Sequence, residues 1–240
     1  MISQISSSSI ADKTIIITGA SGNMGQAVVR KFLSEGYIVV ATIIPNDSIP
    51  FEIEDSKLEK VTVNLMSEDD TEKFIQTVIK KYKNLDAVVL TVGGFAMGTI
   101  AETKTADIYK QYRLNFETAY NIARPAFIQM MKQNSGRIFL IGARPGLDAN
   151  NGKGMIAYGL GKLLIFRLAE LMNDEAKGHD VVTSVIVPST IDTPQNRKAM
   201  PNSNFNNWAK PEDIANTIYF YCTGMAAALR EPVIKIYNNS

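Results

Sequence analysis

The stretch Lys13 to Gly25, KTIIITGASGNMG, constrains this chain most. The run Thr14 to Thr18 stops at a glycine, and glycines recur at 19, 22 and 25. A helical pattern follows: Ala27, Val28, Val29, Phe32 and Leu33 are apolar, with Gln26, Arg30, Lys31 and Glu35 between them. That order is strand, tight turn, helix. Glycine lets a backbone turn sharply and approach a ligand closely, and a helix N-terminus offers unpaired N–H groups to an anion. A pyrophosphate meets that description. Gly-rich turns also end strands with no ligand, so the triplet alone says little. Its position after a buried strand and at the opening of a helix supplies the context a dinucleotide site requires. The turn residues Gly19, Ser21, Gly22, Asn23, Met24 and Gly25 are therefore candidate cofactor contacts.

The remaining chain repeats the alternation. Tyr37 to Ile44 reads as a buried strand, followed by turn chemistry at Pro45 to Ser48 and a polar, irregular stretch to Glu59. Val61 to Val63 reads as a short strand ending at Asn64-Leu65. Ser67 with Glu68, Asp69 and Asp70 signals a helix start, since a serine caps and acids suit the helix dipole. Strands are expected over 85–92, 137–141, 181–187 and 233–237, and helices over about 105–132, 155–177 and 211–221. Pro125 predicts a kink or boundary in the first of these helices. Residues 142–154 and 188–210 read as loops, the second as a long loop or lid. Alternation from end to end predicts an α/β fold: one Rossmann-like, doubly wound, mostly parallel sheet with helices on both faces. Residues 13–240 read as one domain behind a serine-rich tail, 1–12, with no basic and apolar leader pattern.

Bulk properties narrow the function classes. The 240 residues carry a formal net charge of +1, which implies no attraction to nucleic acid or to a membrane surface. No apolar run is long enough to span a bilayer. Together these predict a soluble, cytoplasmic protein acting on a small molecule. The single cysteine, Cys222, excludes an internal disulfide, and with the single histidine, His179, it gives no zinc spacing, so no metal is expected. Cys222 reads as a packing residue and His179 as a surface loop residue.

Tyr158-Gly-Leu-Gly-Lys162 opens the long helix near 155–177. A spacing of four puts both side chains on one helical face. An ammonium beside a phenol lowers the phenol's pKa and equips it to move a proton near neutral pH. Such a spacing also arises by chance in a chain with nine tyrosines, but joined to the upstream turn it gains weight.

With these residues in place, nearly the whole chain from Lys13 onward resembles the short-chain dehydrogenases/reductases. Tyr158 and Lys162 match that family's catalytic pair, and Asn115, in Arg-Leu-Asn-Phe, stands at its helix asparagine. Gly93-Gly94 stands where the family has Asn-Asn-Ala-Gly. Asn64-Leu65 resembles the adenine-side Asp-Leu, and Pro188 to Thr193, with Ile191, resembles the segment flanking the nicotinamide. Lys210 to Ala215 resembles the family's late helix start. The resemblance implies catalysis by Tyr158, Lys162 and Asn115. It also implies a homodimer or homotetramer in which the long helices, rich in apolar residues, pair across a two-fold axis.

Two departures are specific. The glycines run G-x-x-G-x-x-G in place of G-x-x-x-G-x-G, and Ala143 stands at the catalytic serine's place. Quinonoid dihydropteridine reductases share both. They also resemble this chain at Gly93 to Gly98, Gly154 to Gly159, Asp192 to Pro201 and Phe205-x-x-Trp208. A quinonoid pterin is already electron-poor, so it accepts hydride without a serine to polarise a carbonyl. In such a scheme Tyr158 donates the proton, Lys162 lowers the phenol's pKa and holds ribose hydroxyls, and Asn115 holds a water. Phe95, Ala143 and Trp208 are candidate pocket residues, with Met97 and Met155 as further lining or core, and Arg144 and Arg197 are loop cations that could meet an acidic group. The resemblance implies NAD or NADP as the cofactor. The selecting position at the end of the second strand is Ile43 or Ile44, neither acid nor base, and Asp47 nearby would repel a 2′-phosphate, which leans to NADH. Two functions stay open. One is an NAD(P)H-dependent reductase of a quinonoid dihydropterin or another activated acceptor, such as a quinone or enone. The other is a dinucleotide-binding redox sensor without catalysis.

Overall fold

The computed structural model describes residues 13–43 and 49–239. The tail at 1–12 and the turn at 45–48 thus lie outside the described residues, as do Ile44 and Asp47. Seven parallel strands form one sheet in the order β3-β2-β1-β4-β5-β6-β7. They are β1 (Thr14–Thr18), β2 (Ile38–Thr42), β3 (Leu58–Val61), β4 (Ala87–Leu90), β5 (Ser135–Ile141), β6 (Asp180–Pro188) and β7 (Val233–Ile236). Parallel neighbours require crossovers, and helices supply most of them: α1 (Asn23–Ser34), α2 (Glu68–Tyr82), α3 (Thr105–Tyr112), α4 (Thr118–Gln133), α5 (Arg144–Leu147), α6 (Ile156–Glu175), α7 (Pro194–Ala199) and α8 (Pro211–Tyr221).

Each face of the sheet carries its own apolar layer. Phe74, Ile122, Met130 and Ile165, from α2, α4 and α6, cover one face. Val28, Phe32, Ile214 and Ile218, from α1 and α8, cover the other. Strands buried on both faces read as continuous apolar runs, which is how β1, β2 and β4 look in sequence. The start of α2 is built as its residues predict: Ser67 Oγ accepts from Asp70 N at 3.3 Å, with three acids in the first turn.

Four local expectations need correction. The strand expected at Val61–Val63 lies at Leu58–Val61, paired with Val39–Thr42. It is an edge strand whose residues are all half-buried, so it carries no alternation to mark its bounds. The helix expected over 105–132 does not break at Pro125, which lies inside α4. The irregularity comes earlier, as a π-helical turn at Arg113–Glu117 between α3 and α4. Residues 142–154 are not all loop: they contain α5 and a 3-10 turn at Ala149–Asn151. Likewise 188–210 contains α7, capped by Thr193 Oγ1, and a 3-10 turn at Phe205–Asn207. Among the described residues, no helix is long and apolar enough to cross a membrane, and no three His, Cys, Asp or Glu side chains gather.

Candidate active site

The strand order reverses between β1 and β4, and in open α/β sheets ligands bind at the carboxyl ends of the strands beside such a point. Three of the stretches singled out in the sequence meet there: the turn after β1, the segment after β4, and the start of α6.

The turn is set by backbone approach. Gly19 has φ +62°, and a Cβ on it would lie 2.8 Å from Thr91 Oγ1. A Cβ on Gly25 would lie 2.3 Å from the Gly19 carbonyl oxygen, so α1 can start against the turn only with glycine there. Thr91 Oγ1 donates to Thr18 O at 2.6 Å and fastens the turn to the end of β4. Gly22 caps α1 with no side-chain bond, and no acid stands in the first turn. The N–H groups and the positive dipole end are thus open to an anion. Ser21 is buried, Met24 is 9% exposed, and Asn23 Nδ2 donates to Gln195 Oε1 at 2.9 Å, which ties the turn to α7.

The segment after β4 brings the second group. Asn115 lies in the π turn, is 1% exposed, accepts from Gly94 N at 3.1 Å through Oδ1, and donates to Gly94 O at 3.0 Å through Nδ2. A Cβ on Gly93 would lie 2.7 Å from Asn115 Oδ1 and 3.2 Å from Lys162 Nζ. The asparagine carbonyl and the lysine therefore flank one small space that only a glycine leaves open. Lys162 is 4% exposed, and its Nζ donates to Ile141 O, at the end of β5, at 2.8 Å.

Tyr158 is half-buried on the same face of α6, with Lys162 Nζ 6.0 Å from its ring centroid. Among the described residues no hydrogen bond engages its hydroxyl. Phe95 meets its ring edge-on at 5.2 Å and is 63% exposed, as is Met97 at 69%. These two side chains form an apolar lip held by the pairing of Gly98 with Met155, where Gly98 N donates to Gly154 O at 2.7 Å.

Burial changes the expected acid–base balance. It pushes the Tyr158 phenol up to about 12 and the Lys162 ammonium down to about 8. The spacing with Lys162 predicts a lowered phenol pKa, whereas desolvation raises it. Near pH 7 the site holds a protonated phenol and a protonated lysine, the forms a proton donor and its supporting cation require.

Other sequence candidates sit further out. Ala143, 8% exposed, caps α5 in extended backbone directly after β5. Pro188, the last residue of β6, and Ile191 and Thr193 beyond it are half-buried, and Ile191 pairs with Ala209. Ile43 donates its N–H to Val61 O at 3.0 Å at the end of β2. Asn64 is exposed, with Oδ1 accepting from Met66 N, and Leu65 packs on the core while its carbonyl accepts from Asn121 Nδ2 at 3.0 Å. Trp208 is 5% exposed and packs on Phe205 at 4.8 Å, so its indole belongs to the packing beneath this segment and not to an open pocket wall. The two loop cations are both engaged: Arg144 stacks over Tyr237 at 4.0 Å, and Arg197 pairs with Asp192 at 2.5 Å. Sequence reasoning did not find Gln111, Gln195 or Asn121. Only Gln111 carried a usable signal, a polar residue one helical turn before Asn115.

The sequence model of the short chain dehydrogenases matches residues 13–204. A 3-oxoacyl-(acyl-carrier-protein) reductase of Thermotoga maritima is 22% identical over 93% of this chain and 96% of its own. A dihydropteridine reductase of Dictyostelium discoideum is 28% identical over 88% of both chains. Among solved structures, ElxO with NADP bound superposes with a TM-score of 0.84 at 24% identity, covering 94% of this chain and 97% of that one. An oxidoreductase of the short chain dehydrogenase/reductase family from Burkholderia thailandensis superposes with a TM-score of 0.80 at 22% identity, covering 95% and 92%.

Proposed function

Because the chain belongs to the short chain dehydrogenase family, we propose that it is a nicotinamide-dinucleotide-dependent reductase with Tyr158 as its proton donor. The observation that carries this reading is the convergence of Asn115 Oδ1 and Lys162 Nζ on the space at Gly93, with Lys162 Nζ 6.0 Å from the ring centroid of Tyr158, whose hydroxyl has no partner among the described residues. A protein that only binds a dinucleotide needs no such phenol. The fit to the cofactor rests on the two glycine positions a Cβ would fill and on the open N-terminus of α1. The turn and α1 would hold the pyrophosphate. The dinucleotide, when bound, supplies a hydride. Lys162 uses its remaining N–H groups on ribose hydroxyls and, as a cation, favours the phenolate left after Tyr158 gives up its proton. Asn115 holds a water through Oδ1.

For the acceptor we favour a quinonoid dihydropterin. Ala143 offers no hydroxyl to a carbonyl oxygen, the lip of Phe95 and Met97 suits a flat ring, and the 28% identical relative bears the name dihydropteridine reductase. The residues at the end of β2 lean to NADH over NADPH, since neither Ile43 nor Ile44 is basic and Asp47 is acidic. The chain works in the cytoplasm as a homodimer. The dimer reading is supported by exposed Tyr109, Leu163 and Leu171 on the neighbouring helices α3 and α6, and sedimentation as a monomer at micromolar concentration would remove it.

The test is oxidation of NADH and NADPH against pterin, quinone and carbonyl acceptors. The expected result is rapid NADH oxidation with a quinonoid dihydropterin and slow or no turnover with simple ketones. Dinucleotide binding without oxidation by any acceptor would replace this reading with the sensor.

A further inference from the structure

We infer that Gln111 is a positioning residue of this site, holding the Asn115 amide in the one orientation that aims its carbonyl oxygen at the space beside Gly93 and Lys162. The inference rests on the reductase reading for its catalytic consequence, but not for its geometry.

Gln111 is 4% exposed on the last turn of α3. Its Oε1 accepts from Asn115 Nδ2 at 2.7 Å, the shortest bond that amide makes. Its backbone carbonyl accepts from the same nitrogen at 3.3 Å, and Gly94 O does so at 3.0 Å. Three oxygens therefore surround the NH2 group, while Gly94 N–H faces Oδ1. A rotated amide would set its oxygen against three oxygens and its N–H2 against an N–H, so a single orientation survives. α6 closes the other side: a Cβ on Gly161 would lie 3.1 Å from the Gln111 carbonyl oxygen and 3.7 Å from Asn115 Cβ. The pair is thus wedged between the segment after β4 and the residue preceding Lys162.

Packing alone does not ask for a glutamine here. A buried amide is costly unless bonded, and a methionine of the same length would fill the space without that cost. The polar side chain makes sense if its oxygen has a task, and the bond it makes is to a group that itself borders the reactive space.

The experiment compares Gln111→Met, which keeps the length and loses the acceptor, with Gln111→Glu, which keeps acceptor oxygens. Amide hydrogen exchange at Gly94, kcat with the best acceptor, and the dinucleotide Kd are measured for each. In Gln111→Met, Gly94 exchange should accelerate and kcat should fall roughly fivefold to tenfold, the worth of one neutral hydrogen bond, with Kd unchanged within about twofold. Gln111→Glu should restore both. Unchanged Gly94 exchange in Gln111→Met would overturn the proposal. So would equal losses in both variants together with lower melting temperatures, which would mark a packing role. If the wild type turns over no acceptor, the reductase reading fails, and the Gly94 exchange rate then decides the positioning of Asn115 by itself.

Discussion

The turn after β1 and the cluster beyond β4 and β5 lie at the same end of the sheet, yet they are built in opposite ways. The turn is made by side chains that are missing. Gly19 and Gly25 bring backbone against backbone within a few residues, and an added methyl group at Gly25 would lie 2.3 Å from a carbonyl oxygen. The cluster is made by side chains that are present. Asn115 and Lys162 reach backbone groups at Gly94 and Ile141 that are far from them in sequence, and Gln111 braces Asn115 from one helical turn away. One region fails when an atom is added and the other when an atom is lost. Binding and chemistry should therefore come apart under mutation.

The sharpest break is Tyr158→Phe, which removes one oxygen. Turnover should drop by about 10²–10⁴-fold, the usual range for a lost proton donor, with dinucleotide affinity nearly unchanged. Wild-type rates in this variant, with an acceptor the native protein reduces, would sink the mechanism. Gly25→Val is its converse. Forcing a side chain against the Gly19 carbonyl should strain the turn by roughly 1–3 kcal/mol and weaken dinucleotide binding by about tenfold or more. Titration calorimetry showing native affinity would contradict the role of the turn.

Lys162→Met should lose turnover yet gain stability. The buried ammonium sits near 8, below its ordinary 10.5, so between those pH values the unfolded chain holds a proton that the folded chain lacks. Stability therefore rises with pH through that window, and below about 8 the full cost of the buried charge is present. The methionine variant escapes that cost. At pH 7 it should be more stable by up to about 3 kcal/mol, less the bond to Ile141 O, and the advantage should fade towards pH 10.5. Denaturant titrations at both pH values check this, and an equal difference at each would contradict a charged Lys162. In the wild type, kcat should decline above about pH 8 as the same lysine loses its proton.

The smallest change to the native reaction is expected in Ala143→Ser, which adds an oxygen to the cluster. A well-placed donor to a developing oxyanion can be worth about 3 kcal/mol, so ketone and aldehyde reduction should appear or rise while pterin reduction stays flat. A large loss of pterin turnover with no carbonyl gain would contradict the placement of Ala143 at the acceptor.

This contrast also explains what the sequence reveals. Missing side chains are visible in a sequence because glycine spacing is itself the signal, and buried parallel strands announce themselves as apolar runs. The pair Tyr158 and Lys162 is visible because one helix carries both. The carbonyls of Gly94 and Ile141 are not, because their roles depend on which distant segments the fold brings alongside, and without them the local spacing of Gln111 and Asn115 has no visible purpose. β3 is blurred for a related reason: at the edge its four residues are half-buried and no face is marked. Trp208 misleads because a polar, asparagine-rich surrounding suggests exposure, whereas Phe205 and the carbonyl contact with Asn238 hold it within the fold. The lysine's effect on the phenol is misjudged because spacing predicts proximity and says nothing of desolvation.

The π turn at Arg113–Glu117 can be viewed as a phase shift written into one long rod. An α-helix advances 100° per residue, so a single inserted residue swings everything on one side of it by that angle. Here the inserted turn carries Asn115, with Gln111 just upstream and the core residues Ala119, Ile122 and Ala123 just downstream. The upstream segment can thus keep time with α6 and the downstream segment with the sheet, two beats that a uniform helix could not hold together. A one-residue deletion in 113–117 would leave composition and helical content almost untouched while rotating Gln111 away from its partner. In this helix, length is therefore a tighter constraint than composition.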